Sequence, residues 1–192
     1  VATTLVALAM AAMIALGVWQ LRRSAWKTAL IATYEANRTK PPVAWPALLP
    51  RDDSALLYRR ASGFCLQPVG WREIVGHNGR GEPGWSHIAS CRTGGGEGPG
   101  MEVDVGWSTR TGNPQWTGGA VAGLIVPDRK HRIRLVADRP APGLQPSIAM
   151  SPQDVPNNHF AYAIQWFLFA LTAGIIYLFA LRRRRQDAAR SG

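Results

Sequence analysis

Pro156-Asn157-Asn158-His159-Phe160-Ala161-Tyr162-Ala163-Ile164-Gln165-Trp166-Phe167 is a polar, helix-starting cluster that runs straight into an apolar segment. From Phe160 to Leu181 there are 22 residues without a charge, enough helix to cross a hydrocarbon core. Asn157 or Asn158 is suited to cap this helix by accepting a backbone N–H. His159 then falls in its first turn, where water meets lipid. The positive end of the helix dipole suits an uncharged imidazole there, the form that ligates a metal or haem iron. At 3.6 residues per turn, His159, Tyr162, Ala163, Trp166 and Ala170 share one face. A flat apolar cofactor fits along such a face. An interfacial aromatic belt with a snorkelling histidine has the same pattern.

Arg182-Arg183-Arg184-Arg185 follows the span directly, and the positive-inside rule keeps such a run in the cytoplasm. At the other end, Leu5 to Val18 continues an apolar run from Val1, broken only by Thr3 and Thr4. About 18 residues of helix just cross a core of roughly 30 Å. A signal-peptide core has similar composition, but Trp19-Gln20-Leu21-Arg22-Arg23 continues in helical register without a clear cleavage site. The sequence opens at Val1 rather than Met, so upstream residues are expected. Two spans leave both termini cytoplasmic and residues 19–158 on the far side. Arg22, Arg23 and Lys27 sit on the wrong side for the rule. Trp19, Gln20, Arg22, Arg23 and Trp26 lie at the same membrane face as His159. Arg22 or Arg23 could pair with acidic groups of a cofactor, such as haem propionates, or equally with lipid phosphates.

The net charge is +10 over 192 residues. The densest positive charge abuts an apolar span, and no helix-turn-helix, zinc-finger or RNP-like pattern accompanies it. The lipid bilayer, not nucleic acid, is the partner this implies.

Between the spans, helical spacing continues from Trp26 to Asn37, through Leu30, Ile31 and Tyr34. Pro41-Pro42 and Pro46 end it, and a Pro-rich connector runs to about Pro50. Short runs with turn punctuation then predict strands over Leu56–Ala61, Arg72–Val75, His87–Cys91, Met101–Trp107, Ala120–Val126 and Ile133–Ala137. Gly79 to Gly84 and Gly94-Gly95-Gly96 read as turns. Met101–Trp107 alternates apolar and polar, as a half-buried strand should. The expectation is a membrane protein of α+β class. Two transmembrane helices flank a small, mostly antiparallel β domain, barrel- or sandwich-like. Its parts are a first span at 1–18, a helical extension and connector at 19–50, the β domain at 51–158, a second span at 159–181 and a basic tail at 182–192.

Cys65 and Cys91 form either a disulfide or two free core thiols. Gly94 to Gly100 has no following Lys-Ser/Thr and is a turn, not a phosphate cradle. No Walker loop, GxGxxG, HExxH or GxSxG occurs, nor any nucleophile–base pattern, so an enzyme is not expected. His77, His87 and His131 lack metal-ligand spacing and read as solvated surface residues.

Leu16-Gly17-Val18-Trp19-Gln20-Leu21-Arg22-Arg23 with Trp26-Lys27 resembles the LGxWQLxRxxWK signature of the Surfeit-locus protein one family. Pro156 to Phe167 resembles that family's PNNHLxYAxTWF motif, with Phe160 for Leu and Gln165 for Thr. Val103-Asp104-Val105-Gly106-Trp107 resembles its strand ending in Gly-Trp, with Val105 where arginine is frequent and Ser108 where valine is usual. Gly119 to Ile125 resembles the following strand. The resemblance implies a non-catalytic assembly factor, or chaperone, for haem-copper cytochrome c oxidase of the respiratory chain, in a bacterial inner membrane. It implies haem a as cofactor with His159 as iron ligand. Tyr162 and Trp166 would pack on the macrocycle, and Arg22, Arg23, Trp19 and Gln20 would complete the site. Oxidase subunit I is the implied partner, with haem a synthase a further candidate. The alternative is a cofactor-free scaffold that stabilises nascent subunit I.

Overall fold

The computed structural model describes residues 2–94 and 100–190. Residues 95–99, within the glycine-rich turn expected after Gly94, lie outside the described residues. The chain forms two compact units. One comprises residues up to Leu30 together with those from Pro156 on; the other runs from Ile31 to Val155.

The first unit is an antiparallel pair of helices, α1 (Ala2–Arg38, whose last turns belong to the second unit) and α2 (His159–Arg190). Both are long and apolar enough to cross a membrane, and only 6% of each apolar window is buried inside the protein. Their remaining apolar surface therefore suits a non-aqueous surrounding. The less exposed positions of α1 up to Lys27 are Val6, Met10, Met13, Gly17, Gln20, Ser24 and Lys27. On α2 they include His159, Ala163, Trp166, Ala170, Ala173 and Tyr177. The spacing alternates between four and three residues, the repeat of a left-handed helix pair.

Small residues let the two backbones approach, as expected where no water drives association. A Cβ added to Gly174 would lie 2.9 Å from Met10 Cε. Ala163 and Ala170 are 0% and 4% exposed. Hydrogen bonds close the seam at its ends. Tyr177 Oη donates to Thr3 Oγ1 at 2.5 Å, and Asn157 Nδ2 donates to Thr28 Oγ1 at 3.2 Å.

The second unit is a seven-stranded mixed sheet: β1 (Val43–Ala44), β2 (Arg60–Cys65), β3 (Gln67–His77), β4 (Pro83–Arg92), β5 (Met101–Ser108), β6 (Gly119–Asp128) and β7 (Arg132–Ala137). The order is β1-β2-β6-β7-β5-β4-β3. Most pairings are antiparallel, but β1 with β2 and β5 with β7 are parallel. β2 and β3 are far apart in that order yet joined through Leu66 alone. Leu66 N–H bonds the Arg92 carbonyl at 2.8 Å, so one bent ribbon curls the sheet back on itself like a barrel. Cys65 and Cys91 bridge β2 to β4 as a disulfide, Cα atoms 5.2 Å apart. This resolves the choice that the sequence left open.

Three sequence expectations fail here. Leu56 to Tyr58 is a turn, not the start of a strand. Leu56 and Leu57 N–H both bond the Asp53 carbonyl, and Tyr58 takes φ 61°. That left-handed residue breaks the extended run, and β2 begins at Arg60. Second, β5 is not half-buried: Met101 through Trp107 are all buried. β5 lies between β4 and β7, so its polar positions turn into a charged inner layer rather than water.

In that layer Arg72 bridges Glu102 (3.2 Å) and Asp128 (2.5 Å), and Arg134 lies 3.6 Å from Asp128 and 3.7 Å from Asp104. Ser147 donates to Asp104 at 2.6 Å and Ser90 to Glu102 at 2.7 Å. Burial pushes the Asp104 carboxyl above its ordinary range, opposed in part by Ser147 and Arg134. Burial also raises Asp128, but Arg72 and the His131 and Lys130 amides outweigh it and hold that carboxyl below the usual range.

Third, His87 is not a surface residue. It is 2% exposed, with Nε2 2.8 Å from Ser108 Oγ and Nδ1 3.7 Å from Glu73. His131 is half-buried, 3.6 Å from Glu102. His77 is exposed as expected.

Candidate functional site

The two sequence motifs, one at the end of the apolar run of α1 and one at the start of α2, meet in the helix pair. His159, the first residue of α2, sits opposite Gln20 of α1. Its Nδ1 is 2.7 Å from Gln20 Oε1. An amide oxygen only accepts, so a hydrogen bond to Oε1 requires the tautomer with its proton on Nδ1. The Trp19 indole stands edge-on to the imidazole, centroids 6.5 Å apart. Among the described residues Nε2 has no hydrogen-bond partner.

α2 starts at His159, and among the described residues neither Asn157 nor Asn158 supplies the side-chain cap expected from one of them. Tyr162 N–H bonds the Asn158 carbonyl at 3.2 Å and closes the first turn. The Asn157 side chain turns to Thr28 instead, and its Oδ1 is buried without a partner. Capping lost to an interhelical bond, because Asn157 lies beside α1 rather than beneath the amides of α2.

The face assigned to a cofactor divides in two. His159, Ala163 and Ala170 turn into the seam with α1, so the small residues serve helix packing. Tyr162, 51% exposed, points away from the seam. Trp166 lies between, half-buried, edge-on to Phe169 at 6.1 Å. Trp19 is 54% exposed. Arg22 and Arg23 are exposed, and the Arg23 guanidinium stacks over Trp26 at 4.2 Å. Of the seven candidates, the structure joins His159, Gln20 and Trp19 directly. Among the described residues, no hydrogen bond, ion pair or ring contact joins Tyr162, Trp166, Arg22 or Arg23 to these three.

Sequence reasoning named Gln20 for its position but missed what it bonds. It also missed Gly17 and Gly174, whose seven-residue offsets from Ser24 and Phe167 were the available signal.

This donor set fits a haem in one respect that can be tested on the chain itself. An imidazole held through Nδ1–H to a carbonyl-type acceptor leaves Nε2 to ligate, the arrangement found behind metal-bound histidines. Elsewhere, among the described residues, no three His, Cys, Asp or Glu side chains gather as a metal site. Ser108, His87 and Glu73 follow the order nucleophile, base, acid. However, the Ser108 hydroxyl donates to the Arg110 carbonyl at 2.6 Å and Glu73 accepts from Gly112 N–H. These bonds tie the strand ends together, and the Ser108 proton points away from the imidazole.

No curated protein matches the sequence significantly. The model of the SURF1 family matches residues 7–171, which takes in most of α1, the whole sheet and the first part of α2. With the two sequence motifs meeting at His159 and Gln20 and the match covering most of its length, the chain belongs to the SURF1 family, associated with cytochrome c oxidase assembly.

Proposed function

We propose that this chain binds haem a at the outer face of a bacterial inner membrane and assists its insertion into oxidase subunit I. The observation that carries this is the Gln20–His159 bond, which leaves His159 Nε2 as a lone-pair donor at the end of an apolar helix seam. His159 would hold the iron. Trp19, Trp166 and the exposed Tyr162 offer aromatic surface to the macrocycle, and Arg22 and Arg23 offer charge to its propionates. Haem supplies the redox and oxygen chemistry of the oxidase; this chain supplies one ligand and an apolar surface. One protein ligand suits a group that is passed on, whereas two strong axial ligands suit permanent electron transfer.

The orientation we propose has both termini cytoplasmic and the β unit periplasmic. Support comes from Arg182 to Arg185 after the apolar part of α2 and from the Cys65–Cys91 disulfide, which persists on the oxidising side. Subunit I would then meet the apolar outer faces of the helices, and a haem a synthase would be the donor.

The test is purification from cells that make haem a, beside His159→Ala. Haem a copurifying with the wild type and lost from the variant is the expected result. An unchanged spectrum and yield in the variant would remove His159 as ligand. Copurification of subunit I with no haem in either protein would instead make the chain a cofactor-free scaffold.

A further inference from the structure

We propose that Gln20 is a positioning residue that fixes the tautomer of His159. A neutral imidazole has one N–H and one lone pair, so whichever nitrogen donates, the other is free to ligate. Here Nδ1 faces Gln20 Oε1 at 2.7 Å. The proton is therefore held at Nδ1, and Nε2 keeps its lone pair. In the opposite tautomer Nε2 carries hydrogen and ligates nothing.

Three features make this bond a device rather than a chance contact. It joins two different helices, 139 residues apart in sequence. Both residues are half-buried at the seam, where water competes poorly for the imidazole proton. Close packing sets the separation of the helices nearby: a Cβ on Gly17, one turn from Gln20, would collide with Phe167. The imidazole is thus oriented by backbone packing, and the edge-on Trp19 ring bounds one side of it. A hydrogen-bond acceptor behind a ligating imidazole also raises its basicity. Gln20 therefore acts through His159 and need not touch the iron. The tautomer stands on the geometry of the chain; its bearing on iron ligation rests on the haem reading above.

The experiment uses the full chain in detergent, labelled with ¹⁵N-histidine, at a pH where imidazole is neutral. The His159 signals are those lost in His159→Ala. In the wild type, Nδ1 is expected to bear the proton and Nε2 the lone pair. In Gln20→Leu the two tautomers are expected to mix, while the signals of His77, His87 and His131 stay put and show that the β unit is folded. Titration with ferric haem b then reads ligation. Gln20→Leu is expected to weaken binding about 10- to 100-fold. Gln20→Glu, which keeps an acceptor oxygen, is expected to retain binding and lower the potential of the bound haem.

A wild-type signal with the proton on Nε2 overturns the proposal, as does a Gln20→Leu chain with unchanged tautomer and affinity. If the wild type takes up no haem b but holds its proton on Nδ1, the haem reading falls and the tautomer assignment stands.

Discussion

Gly17 of α1 packs against the ring of Phe167 of α2 so closely that a Cβ at Gly17 would lie 2.6 Å from Phe167 Cε1. Both residues belong to the sequence motifs that frame the chain, and their contact explains part of those motifs. Glycine is needed because an aromatic ring occupies the space of its side chain.

Gly17→Leu is expected to push the helices apart, at a cost of about 1–3 kcal/mol from overpacking. Met10→Cys with Gly174→Cys provides the measurement, because these positions face each other across the seam. The engineered pair should crosslink readily in the parent and poorly with Gly17→Leu added. Equal crosslinking in both would disprove the packing argument.

Gly106→Ala should destabilise the β unit by about 2–4 kcal/mol. Gly106 takes φ 137° at the bulge of β5. A Cβ there would lie 2.8 Å from Leu144 Cβ and 2.9 Å from the Gln145 carbonyl oxygen. The urea midpoint of the purified protein reads this directly, and an unshifted midpoint counts against it.

Replacing both Cys65 and Cys91 with Ser should lower stability by about 3.5 kcal/mol, the loop-closure value for their separation of 26 residues. The parent treated with reductant in denaturant should fall to the level of the variant. Identical unfolding curves for oxidised parent and variant would contradict a closure role for the bridge.

The two buried aspartates should give opposite pH signatures. Asp128 is held below the ordinary 3.8, so its contribution is complete above that pH and is lost as pH falls through its folded value. Asp128→Asn should therefore cost about 3 kcal/mol near neutrality, where it leaves Arg72 and Arg134 short of a partner. The deficit should shrink in acid. Asp104 is raised above 3.8 by burial. The folded state binds its proton more tightly, so its ionisation costs stability as pH rises from 3.8 through the folded value. Asp104→Asn should thus gain on the parent with rising pH. Parallel pH profiles for parent and both variants would refute both assignments.

The helices were legible because apolar length is a one-dimensional signal. No partner is needed to see that Phe160–Leu181 lacks charge. The strands near Arg72, His87, Ala120 and Ile133 were legible through their turns. What the sequence concealed depends on neighbours. Alternation in Met101–Trp107 suggested water on one face, but Arg72 and Arg134 come from other strands to cover Glu102 and Asp104. His87 looked solvated because Ser108 and Glu73 reach it only through pairing. Tyr58 sits in a run that reads as a strand, and only its left-handed backbone reveals the turn. At the candidate site, the motifs marked Gln20 and His159 separately. Their hydrogen bond appears only when the helix register is known.

That register also works as a ruler. The Thr3–Tyr177 and Gln20–His159 bonds lie 17 residues apart on α1 and 18 on α2, or about 26 Å of helix. Between them the seam is apolar, lined by Met10, Gly17, Ala163, Phe167, Ala170 and Gly174. A shift of one helix by a single turn would break both polar pairs at once, and no compromise position keeps either. The span between them comes close to the thickness of a bilayer's hydrocarbon layer. A membrane much thinner or thicker would strand one of the two pairs at the wrong depth. The imidazole would then be set not only in orientation but in its level relative to the lipid surface.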